Sequence, residues 1–405
     1  MPSPSQISDA VRQLYNTYPF PPEPLLDEPP PGYNWRWSWP SAYGFCTGAY
    51  PPRLDVNILD AGCGTGVGTE YLAHLNPEAR ITAIDLSEGA LGVAQERCRR
   101  SRAENVTFHH LSLTEVAQLG QSFDFINSVG VLHHLPDPEE GIRSLAQVLA
   151  PGGLIHIFVY GELGRWEIKL MQQAIALLQN QRDQLRDYRQ GVATGRALFD
   201  LLPATNRIKQ RDQERWGLEN QRDECFADMY VHPQEIDYTI PSLFQLIAAS
   251  GLEFVGFSNP KVWQLERLLA KNPQLLAQAQ TLSQVDQYRL IELLDPDTIT
   301  HYEFFLARPP RPQYHWQEDT DLLAARPLRH PCIDGWPAAC VFNAQYEVIH
   351  LGDRDQAFLK MATGEHTVAD ILGQLNEKPG HPPSSLDLTA VRSLLNQELI
   401  LLKPH

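Results

Sequence analysis

Four glycines stand within the stretch LDAGCGTGVG, residues 59–68, at Gly62, Gly64, Gly66 and Gly68. Glycine lets backbone N–H groups approach a ligand closely, and a helix after such a loop offers its positive N-terminus. The stretch has no lysine and therefore differs from the phosphate loop G-x-x-x-x-G-K-[ST] of ATPases. Its alternating glycines also differ from the dinucleotide fingerprint G-x-G-x-x-G. We therefore expect the loop to hold a ligand that has no pyrophosphate.

Two aspartates flank this glycine loop, which we define as residues 62–68. Asp60 precedes the loop and Asp85 follows it, each at the end of an apolar run. An acid about 20 residues after such glycines binds the two hydroxyls of a ribose. The pattern therefore predicts a nucleoside ligand.

Strand-like apolar runs alternate with helix-like segments from residue 55 to about residue 160. This alternation predicts an α/β fold with a doubly wound parallel sheet, whose ligands bind at the carboxyl ends of the strands. Two further strand-like runs follow a long segment without a strand pattern. The predicted strands are residues 57–59, 80–85, 106–109, 123–127, 154–159, 251–257 and 301–307.

Five segments, in this order, resemble the motifs of the class I S-adenosylmethionine-dependent methyltransferases. They are LDAGCGTG (59–66), AIDLS (83–87), FDFI (123–126), SVGVLHHL (128–135) and LAPGG (149–153). The resemblance implies S-adenosylmethionine as cofactor and a seven-stranded, mostly parallel, Rossmann-like methyltransferase sheet.

The same resemblance implies which residues bind the cofactor. In the family, the first loop receives the amino-acid end and the ribose, and the acid after the second strand binds the ribose hydroxyls. Many members have an acid after the third strand that meets the adenine amino group, whereas this chain has Ser112 and Leu113 there. The implied cofactor residues are Asp60, Gly62, Cys63, Gly64, Asp85, Leu86, Ser112, Leu113 and Val129.

Polar side chains near the ends of the fourth and fifth strands are candidates for catalysis. His133 and His134 follow the fourth strand, where they either shape the pocket or handle a proton. Tyr160 and Glu162 follow the fifth strand and are candidates to orient or deprotonate a substrate, and His232 is a further candidate. The histidines lack the i, i+4 spacing and the neighbouring cysteines of typical metal sites, so we expect no metal.

Composition limits the partners and the compartment. The chain has 33 basic and 49 acidic residues, a formal net charge of −16, which disfavours nucleic acid as a partner. Arginines at 97, 99, 100 and 102 form one basic cluster, which we interpret as charges at the end of a helix. Six cysteines without a C-x-x-C pair indicate a reduced, cytoplasmic protein. The apolar runs are too short for a membrane helix.

The chain divides into three parts. Residues 1–54 are rich in proline and aromatic residues, which predicts an extended arm that lies over the cofactor as a lid or over a partner. Residues 55–310 form the methyltransferase domain, with a helical insertion at about 165–240 that is either a solvated helical pair or a substrate platform. Residues 320–405 show the element order of a small winged-helix-like domain, whose balanced charge favours protein contact.

One helix opens the insertion. Trp166, Leu170, Ala174, Leu177 and Leu178 recur at helical spacing. The spacing predicts an amphipathic helix whose packed face contains these residues.

The leading hypothesis for function is N-methylation of a protein side chain, because a metabolite pocket rarely needs both an insertion and an added helical domain. The overall plan resembles the cyanobacterial methyltransferases that modify an asparagine amide of phycobiliproteins, although the chain has no motif diagnostic of them. Two alternatives stay open: a small-molecule methyltransferase, and a binding module that keeps the cofactor fold. The sequence leaves the oligomeric state open.

Overall fold

The computed structural model describes residues 3–179, 187–375 and 385–404. The strands are β1 Asn57–Ala61, β2 Arg80–Asp85, β3 Val106–His110, β4 Phe123–Val129, β5 Leu149–Tyr160, β6 Glu253–Phe257, β7 His301–Ala307, β8 Arg326–Arg329, β9 Cys340–Phe342, β10 Val348–His350 and β11 Ile400–Lys403. The helices are α1 Pro4–Thr17, α2 Trp39–Thr47, α3 Val67–Leu75, α4 Glu88–Ser101, α5 Pro138–Val148, α6 Trp166–Leu178, α7 Tyr188–Leu201, α8 Arg207–Arg215, α9 Asp223–Tyr230, α10 Ile240–Ser250, α11 Glu266–Leu269, α12 Pro273–Gln280, α13 Gln284–Leu294, α14 Asp319–Ala324, α15 Asp353–Met361, α16 Val368–Leu375 and α17 Ser385–Asn396.

Strands β1 to β7 form one sheet in the order β3-β2-β1-β4-β5-β7-β6. Neighbouring strands run parallel, except that β7 runs antiparallel to both β5 and β6. The prediction of a seven-stranded, mostly parallel, doubly wound sheet is confirmed. Because β1 and β2 are parallel neighbours, Asp60 and Asp85 lie at the same edge of the sheet.

Both faces of this sheet are covered, as the near-continuous apolar strands require. Leu59 and Ile126 pack in the hydrophobic layer on one face, whereas Ile58 and Phe125 pack in the layer on the other face. Successive side chains of a strand point to opposite faces, so each apolar run fills two layers. The sheet is thus a rigid, buried support for the residues at its carboxyl edge.

The N-terminal segment begins with a helix, so the prediction of a wholly extended arm is wrong. The Ser3 side chain accepts a hydrogen bond from the Gln6 N–H in a capping box, and Pro4 occupies the first helical turn. The prolines that suggested extended structure lie after α1, where residues 18–34 contain no regular helix or strand. We keep the name "arm" for residues 3–34.

Four helices, α6 to α9, occupy the insertion within its described part. The predicted helix α6 is present, but its predicted packed face is wrong. Met171 and Ile175 are buried in one cluster with Leu14 of α1, whereas Leu170 and Leu177 are 47% and 82% exposed. Helix α6 carries apolar residues on two sides, and only its tertiary neighbours decide which side is buried.

Helices α11 to α13 lie between β6 and β7, where the sequence analysis made no prediction. Their buried residues Leu265, Ala279 and Ile291 form a small separate cluster. Among the described helices, none combines the length and the apolar character needed to cross a membrane.

The C-terminal segment contains helices α15 to α17 and two small sheets, β8 with β11 and β9 with β10. The β9–β10 hairpin precedes the three helices, and the single strand β11 follows them. The segment packs against the residues that follow α2. The Tyr50 N–H donates to the Leu402 carbonyl oxygen over 2.7 Å. Just before the segment, Nε1 of Trp316 donates to the Gly48 carbonyl oxygen, also over 2.7 Å.

Candidate active site

The glycine loop folds over the end of β2. The N–H groups of Gly62 and Cys63 both donate to the carbonyl oxygen of Ile84 over 2.9 Å. Gly62 and Gly64 have φ values of +85° and +52°, which favour glycine. A Cβ atom on Gly62 would collide with the Val131 side chain. The chain therefore needs glycine at both positions to keep this narrow cradle open.

Asp85 lies at the open edge of that cradle. Its Oδ2 accepts a hydrogen bond from the Gly64 N–H and its Oδ1 accepts one from the Ser87 N–H, each over 2.8 Å. Burial raises the pKa of Asp85, and these two backbone hydrogen bonds oppose that shift. Leu86 follows on the chain, and its carbonyl oxygen lies 2.9 Å from Nε2 of His110. The half-buried carboxylate of Asp85 is in the position that a ribose-binding acid requires.

Asp60 is held differently, because protein groups already occupy both of its carboxylate oxygens. Thr69 Oγ1 donates to Oδ2 over 2.6 Å and Asn127 Nδ2 donates to Oδ1 over 2.8 Å. Burial raises the pKa of Asp60 to about 6, although these two hydrogen bonds lower it. These contacts fit a role in fixing the start of the glycine loop.

A buried polar chain continues from Asn127 across the sheet. Asn127 Oδ1 lies 2.8 Å from Nδ1 of His156, and Nε2 of His156 lies 3.2 Å from Oε1 of Glu303. Glu303 in turn pairs with Arg36, whose Nε lies 2.6 Å from Oε2. Burial raises the pKa of Glu303, but the contacts with His156 and Arg36 outweigh burial and lower it to about 2. This series of polar contacts connects Asp60 to Arg36, which follows the arm.

The other implied cofactor residues lie around the same edge. Cys63 and Leu113 are buried, and Val129 ends β4. Ser112 precedes the short helical turn that Leu113 begins, and its Oγ lies 3.0 Å from Oγ1 of Thr114.

The arm lies directly on the glycine loop. The carbonyl oxygen of Phe20 accepts a 3.1 Å hydrogen bond from the Thr65 N–H, and that of Pro21 accepts a 2.6 Å bond from Thr65 Oγ1. Farther back, Oδ1 of Asn16 accepts a hydrogen bond from Ser87 Oγ over 2.7 Å. The arm therefore covers the loop from the Asp85 side.

Arg97 fastens the arm, a role that the interpretation as a helix-end charge missed. Its guanidinium donates to the carbonyl oxygens of Thr65, Glu23 and Pro24 over 3.0, 2.7 and 2.9 Å. Arg97 is only 2% exposed. The planar five-donor fork of arginine suits such a three-way contact, which a lysine cannot reproduce.

Four of the five candidate catalytic side chains form one compact group. The ring centroid of His133 lies 4.1 Å from the ring centroids of both His134 and Tyr160. The rings of His134 and His232 stack with their centroids 3.7 Å apart. Burial lowers the pKa of His133 well below its usual value and that of His134 to about 4. We call His133, His134, Tyr160 and His232 the histidine cluster.

Glu162 does not join this cluster. Its side chain is exposed, and its backbone N–H donates to the Tyr238 carbonyl oxygen over 2.7 Å. Gly161 still pairs with Tyr238, and the chain turns at Glu162, so the side chains of Tyr160 and Glu162 diverge. Glu162 therefore lies outside the group of candidate catalytic side chains.

Three further residues contact the cluster and were missed. Tyr15 of α1 donates to Oδ1 of Asp228 over 2.8 Å, and its ring lies 5.7 Å from that of His232. The guanidinium carbon of Arg165 lies 3.4 Å from the centre of the Tyr160 ring. Burial raises the pKa of Asp228 to about 6, although Tyr15 and Arg165 lower it. No sequence signal links these positions, because they meet only in the fold.

The main chain of Gln234 binds both stacked histidines. Its carbonyl oxygen lies 2.9 Å from Nδ1 of His134, and its N–H donates to Nδ1 of His232 over 3.1 Å. A carbonyl only accepts and an amide N–H only donates, so Nδ1 of His134 carries a hydrogen and Nδ1 of His232 does not.

Ligand atoms of His134, Asp228 and His232 lie within 4.8 Å of one another, a grouping that could hold a metal ion. The hydrogen of His232 is on Nε2, so a metal ion would have to displace that proton to bind this nitrogen. Without His232, the two remaining side chains would be too few ligands for a typical protein site.

The site fits the cofactor that the motifs imply. A cradle that a Cβ atom would fill, with the Asp85 carboxylate at its edge, suits an adenosyl group with a short tail and no phosphate. The arm contacts the histidine cluster through Tyr15 and contacts Ser87, close to Asp85, through Asn16.

Comparisons with known proteins agree with this geometry. Residues 58–153 match the family model described as "Methyltransferase domain". The chain is 56% identical over 406 residues to an uncharacterized protein of Synechococcus sp., covering 99% of this chain and 94% of that protein. It is 72% identical over 94 residues to an uncharacterized phycocyanin operon protein W of Pseudanabaena tenuis, covering 23% of this chain and 89% of that protein.

Among solved structures, PKMT2 from Rickettsia typhi has the same fold, with a TM-score of 0.61 at 15% identity, covering 92% of this chain and 77% of that one. A second structure of PKMT2 is a complex with AdoHcy, and it matches equally well. The methyltransferase-domain match spans the glycine loop and Asp85. The chain is therefore an enzyme of the class I S-adenosylmethionine-dependent methyltransferase family and uses S-adenosylmethionine as its cofactor.

Proposed function

We infer that this methyltransferase N-methylates a side chain of another protein, and that an asparagine amide of a phycobiliprotein is the candidate target. One comparison carries the proposal: a stretch covering 23% of this chain is 72% identical to a protein named for the phycocyanin operon. Phycocyanin is a phycobiliprotein, so that name supports phycocyanin as the first substrate to test.

The space beside His232 is compatible with a protein substrate. A cavity of about 210 Å³ lies between α6 and residues 230–235, and His232 is among its lining residues. Sites for whole drug-sized ligands usually occupy roughly 300–1,000 Å³. The smaller cavity has room for one side chain of a larger molecule.

The chain's own residues supply binding, orientation and exclusion of water. S-adenosylmethionine, when bound, supplies an electrophilic methyl group. Asp85 and the glycine loop hold the adenosyl group. The arm, which includes Tyr15, covers the reacting centre and keeps water out. His134 is neutral at pH 7, since burial lowers its pKa to about 4, and it can accept a proton at Nε2.

The test uses purified enzyme, purified phycocyanin and radiolabelled S-adenosylmethionine. We expect label in phycocyanin, and mass spectrometry of its peptides should place the added methyl group on an asparagine. Asp85→Ala should abolish labelling because the ribose-binding carboxylate is lost. Asp55→Ala, which removes an exposed aspartate outside the site, is the matched control and should label normally.

A cyanobacterial lysate, tested before and after small molecules are filtered out, separates the alternatives. Label confined to the small-molecule fraction would overturn the proposal and favour the metabolite methyltransferase. In that case the C-terminal segment would serve assembly and not substrate choice.

We also propose a cytoplasmic location. All six cysteines are free thiols, and five of them are buried. Free thiols support a reducing compartment.

A further inference from the structure

We propose that the main chain of Gln234 sets His134 and His232 in opposite tautomers, and that this pair selects a primary carboxamide as the methyl acceptor. The inference rests on the proposed function, because it names the chemical group that the enzyme modifies. It assigns the selection to two side chains and one peptide unit.

The tautomers follow from the two backbone contacts. The Gln234 carbonyl oxygen at 2.9 Å requires a hydrogen on Nδ1 of His134, which leaves a lone pair on Nε2. The Gln234 N–H at 3.1 Å requires a lone pair on Nδ1 of His232, which places the hydrogen on Nε2. Both rings are buried and the pKa of His134 is about 4, so that ring is neutral at pH 7. One residue thus fixes an acceptor and a donor in neighbouring rings.

The two rings lie against each other. Their centroids lie 3.7 Å apart and their planes differ by 24°. A primary carboxamide offers an N–H donor and a carbonyl acceptor on adjacent atoms. Its N–H matches the lone pair on His134, and its oxygen matches the N–H of His232. An ionised carboxylate has only acceptors and an ammonium group has only donors, so each would satisfy one histidine and leave the other unmatched.

Burial strengthens this selection. The charged groups that act on the pair are Asp228, Arg165 and Asp237. Each has a protein partner, since Tyr15 donates to Asp228, Oε2 of Glu235 lies 3.4 Å from Nη2 of Arg165, and Glu235 also contacts Asp237. A charged substrate group would enter without a counter-ion reserved for it, at a large desolvation cost. Burial of a neutral amide avoids the desolvation cost of a charge.

The methyl transfer then balances as follows. The amide nitrogen forms a bond to the methyl carbon while the bond from that carbon to sulfur breaks, and the sulfur keeps the electron pair. The amide nitrogen loses its hydrogen, and Nε2 of His134 takes up that proton. The N–H of His232 stabilises the amide oxygen throughout.

The first experiment measures the tautomers directly. The enzyme is labelled with ¹⁵N-histidine, and long-range ¹H–¹⁵N spectra assign the hydrogen in each ring, with His134→Phe and His232→Phe identifying the signals. We expect a hydrogen on Nδ1 of His134 and on Nε2 of His232. The same tautomer in both rings would overturn the proposal. This result does not depend on any substrate.

Variants of Gln234 test the role of its main chain. Gln234→Ala keeps the N–H and the carbonyl, so both tautomers should persist. Gln234→Pro removes the N–H, so His232 should lose its fixed tautomer while His134 keeps its own. A change of tautomer in Gln234→Ala would overturn the assignment, and the wild-type spectra decide the question if Gln234→Pro does not fold.

The second experiment compares three probes of nearly equal size. Each probe is an N-acetyl N′-methylamide, so that only its side chain can present a primary carboxamide: the asparagine derivative carries a carboxamide, the aspartate derivative a carboxylate, and the 2,4-diaminobutyrate derivative an ammonium group. Titration by NMR in the presence of S-adenosylhomocysteine should give the carboxamide a Kd about tenfold lower than the other two, the value of one matched hydrogen bond. Equal or reversed affinities would overturn the selection. If phycocyanin is methylated on a charged side chain, protein methylation holds and only the carboxamide assignment fails.

Discussion

The hydroxyl of Tyr15 donates a 2.8 Å hydrogen bond to the carboxylate of Asp228, a residue 213 positions later in the chain. This bond joins the first helix to the insertion directly above the histidine cluster. Asn16, the next residue, accepts a hydrogen bond from Ser87, whose N–H donates to Asp85. Two successive residues of α1 therefore hold the insertion and the cofactor edge together.

Removing the Tyr15 hydroxyl should destabilise the fold, because it breaks the hydrogen bond between α1 and the insertion. Tyr15→Phe leaves a buried carboxylate without its donor, and we expect the free energy of unfolding to fall by about 1–3 kcal/mol. A double-mutant cycle with Asp228→Ala, measured by urea unfolding, should give a coupling energy of about 1 kcal/mol or more. Tyr314→Phe, at an exposed tyrosine, is the control. Strict additivity of the two changes would contradict the contact.

Asp228 should give stability a defined pH dependence. Burial raises its folded pKa from 3.8 to about 6, so the folded state binds a proton more tightly than the unfolded state. Its contribution is present below pH 4 and is lost as the pH rises to about 6. Relative to Asp228→Asn, the wild type should lose up to about 3 kcal/mol over this range. Urea unfolding at pH 4 to 7 measures the difference, and parallel curves would rule it out.

The contact between the arm and the glycine loop predicts the effect of one methyl group. A Cβ atom on Gly64 would lie 2.5 Å from the Phe20 carbonyl oxygen, so Gly64→Ala should push the arm away and weaken cofactor binding. If Gly64→Ala lowers the free energy needed to detach the arm from the glycine loop by about 1.4 kcal/mol, trypsin should cleave at Arg12 about tenfold faster.

Gly120→Ala is the control for that change. Gly120 has a similar φ of +64°, but no atom lies within 4 Å of the added Cβ. Gly120→Ala should lower the free energy of unfolding by the same amount, about 1–2 kcal/mol, because alanine is strained at this φ. It should not alter the rate of cleavage at Arg12. Equal cleavage in both variants would mean that Gly64 does not support the arm.

Arg97→Lys should also loosen the arm. Lysine keeps the charge but cannot donate to three carbonyl oxygens in one plane, so we expect the free energy of unfolding to fall by about 2–3 kcal/mol. Hydrogen exchange should become faster at the Thr65 N–H, which donates to the Phe20 carbonyl oxygen of the arm. Arg99→Lys, at a side chain that is 71% exposed, should change neither measurement. Unchanged exchange in Arg97→Lys would contradict the role that we assign to it.

The sequence predicted best what depends on short stretches. The glycine loop, Asp85 and the seven strands follow from local spacing and from the period of apolar residues, and the fold confirms the sheet. His133 and His134 lie together in the histidine cluster, because they are neighbours that follow a strand of that sheet. The same reasoning included Glu162, since a sequence pattern does not show where the chain turns after β5.

The prediction for α6 failed for a related reason. Its leucines and its Ile168–Met171–Ile175 stripe both recur at helical spacing, so periodicity alone offers two equivalent faces. Only the packing of Leu14 and α9 against one stripe distinguishes them.

By itself, the sequence determined the class of fold, the cofactor and the residues of the cradle, because these are written in segments of a few residues whose backbone geometry is local. The tertiary structure decided which distant residues meet at the histidine cluster and at the glycine loop. Tyr15, Asp228 and Arg97 act through contacts between distant segments, and the tautomers of His134 and His232 depend on a peptide unit about 100 residues from His134. Such contacts arise only when separate elements pack together, and no pattern along the chain encodes them.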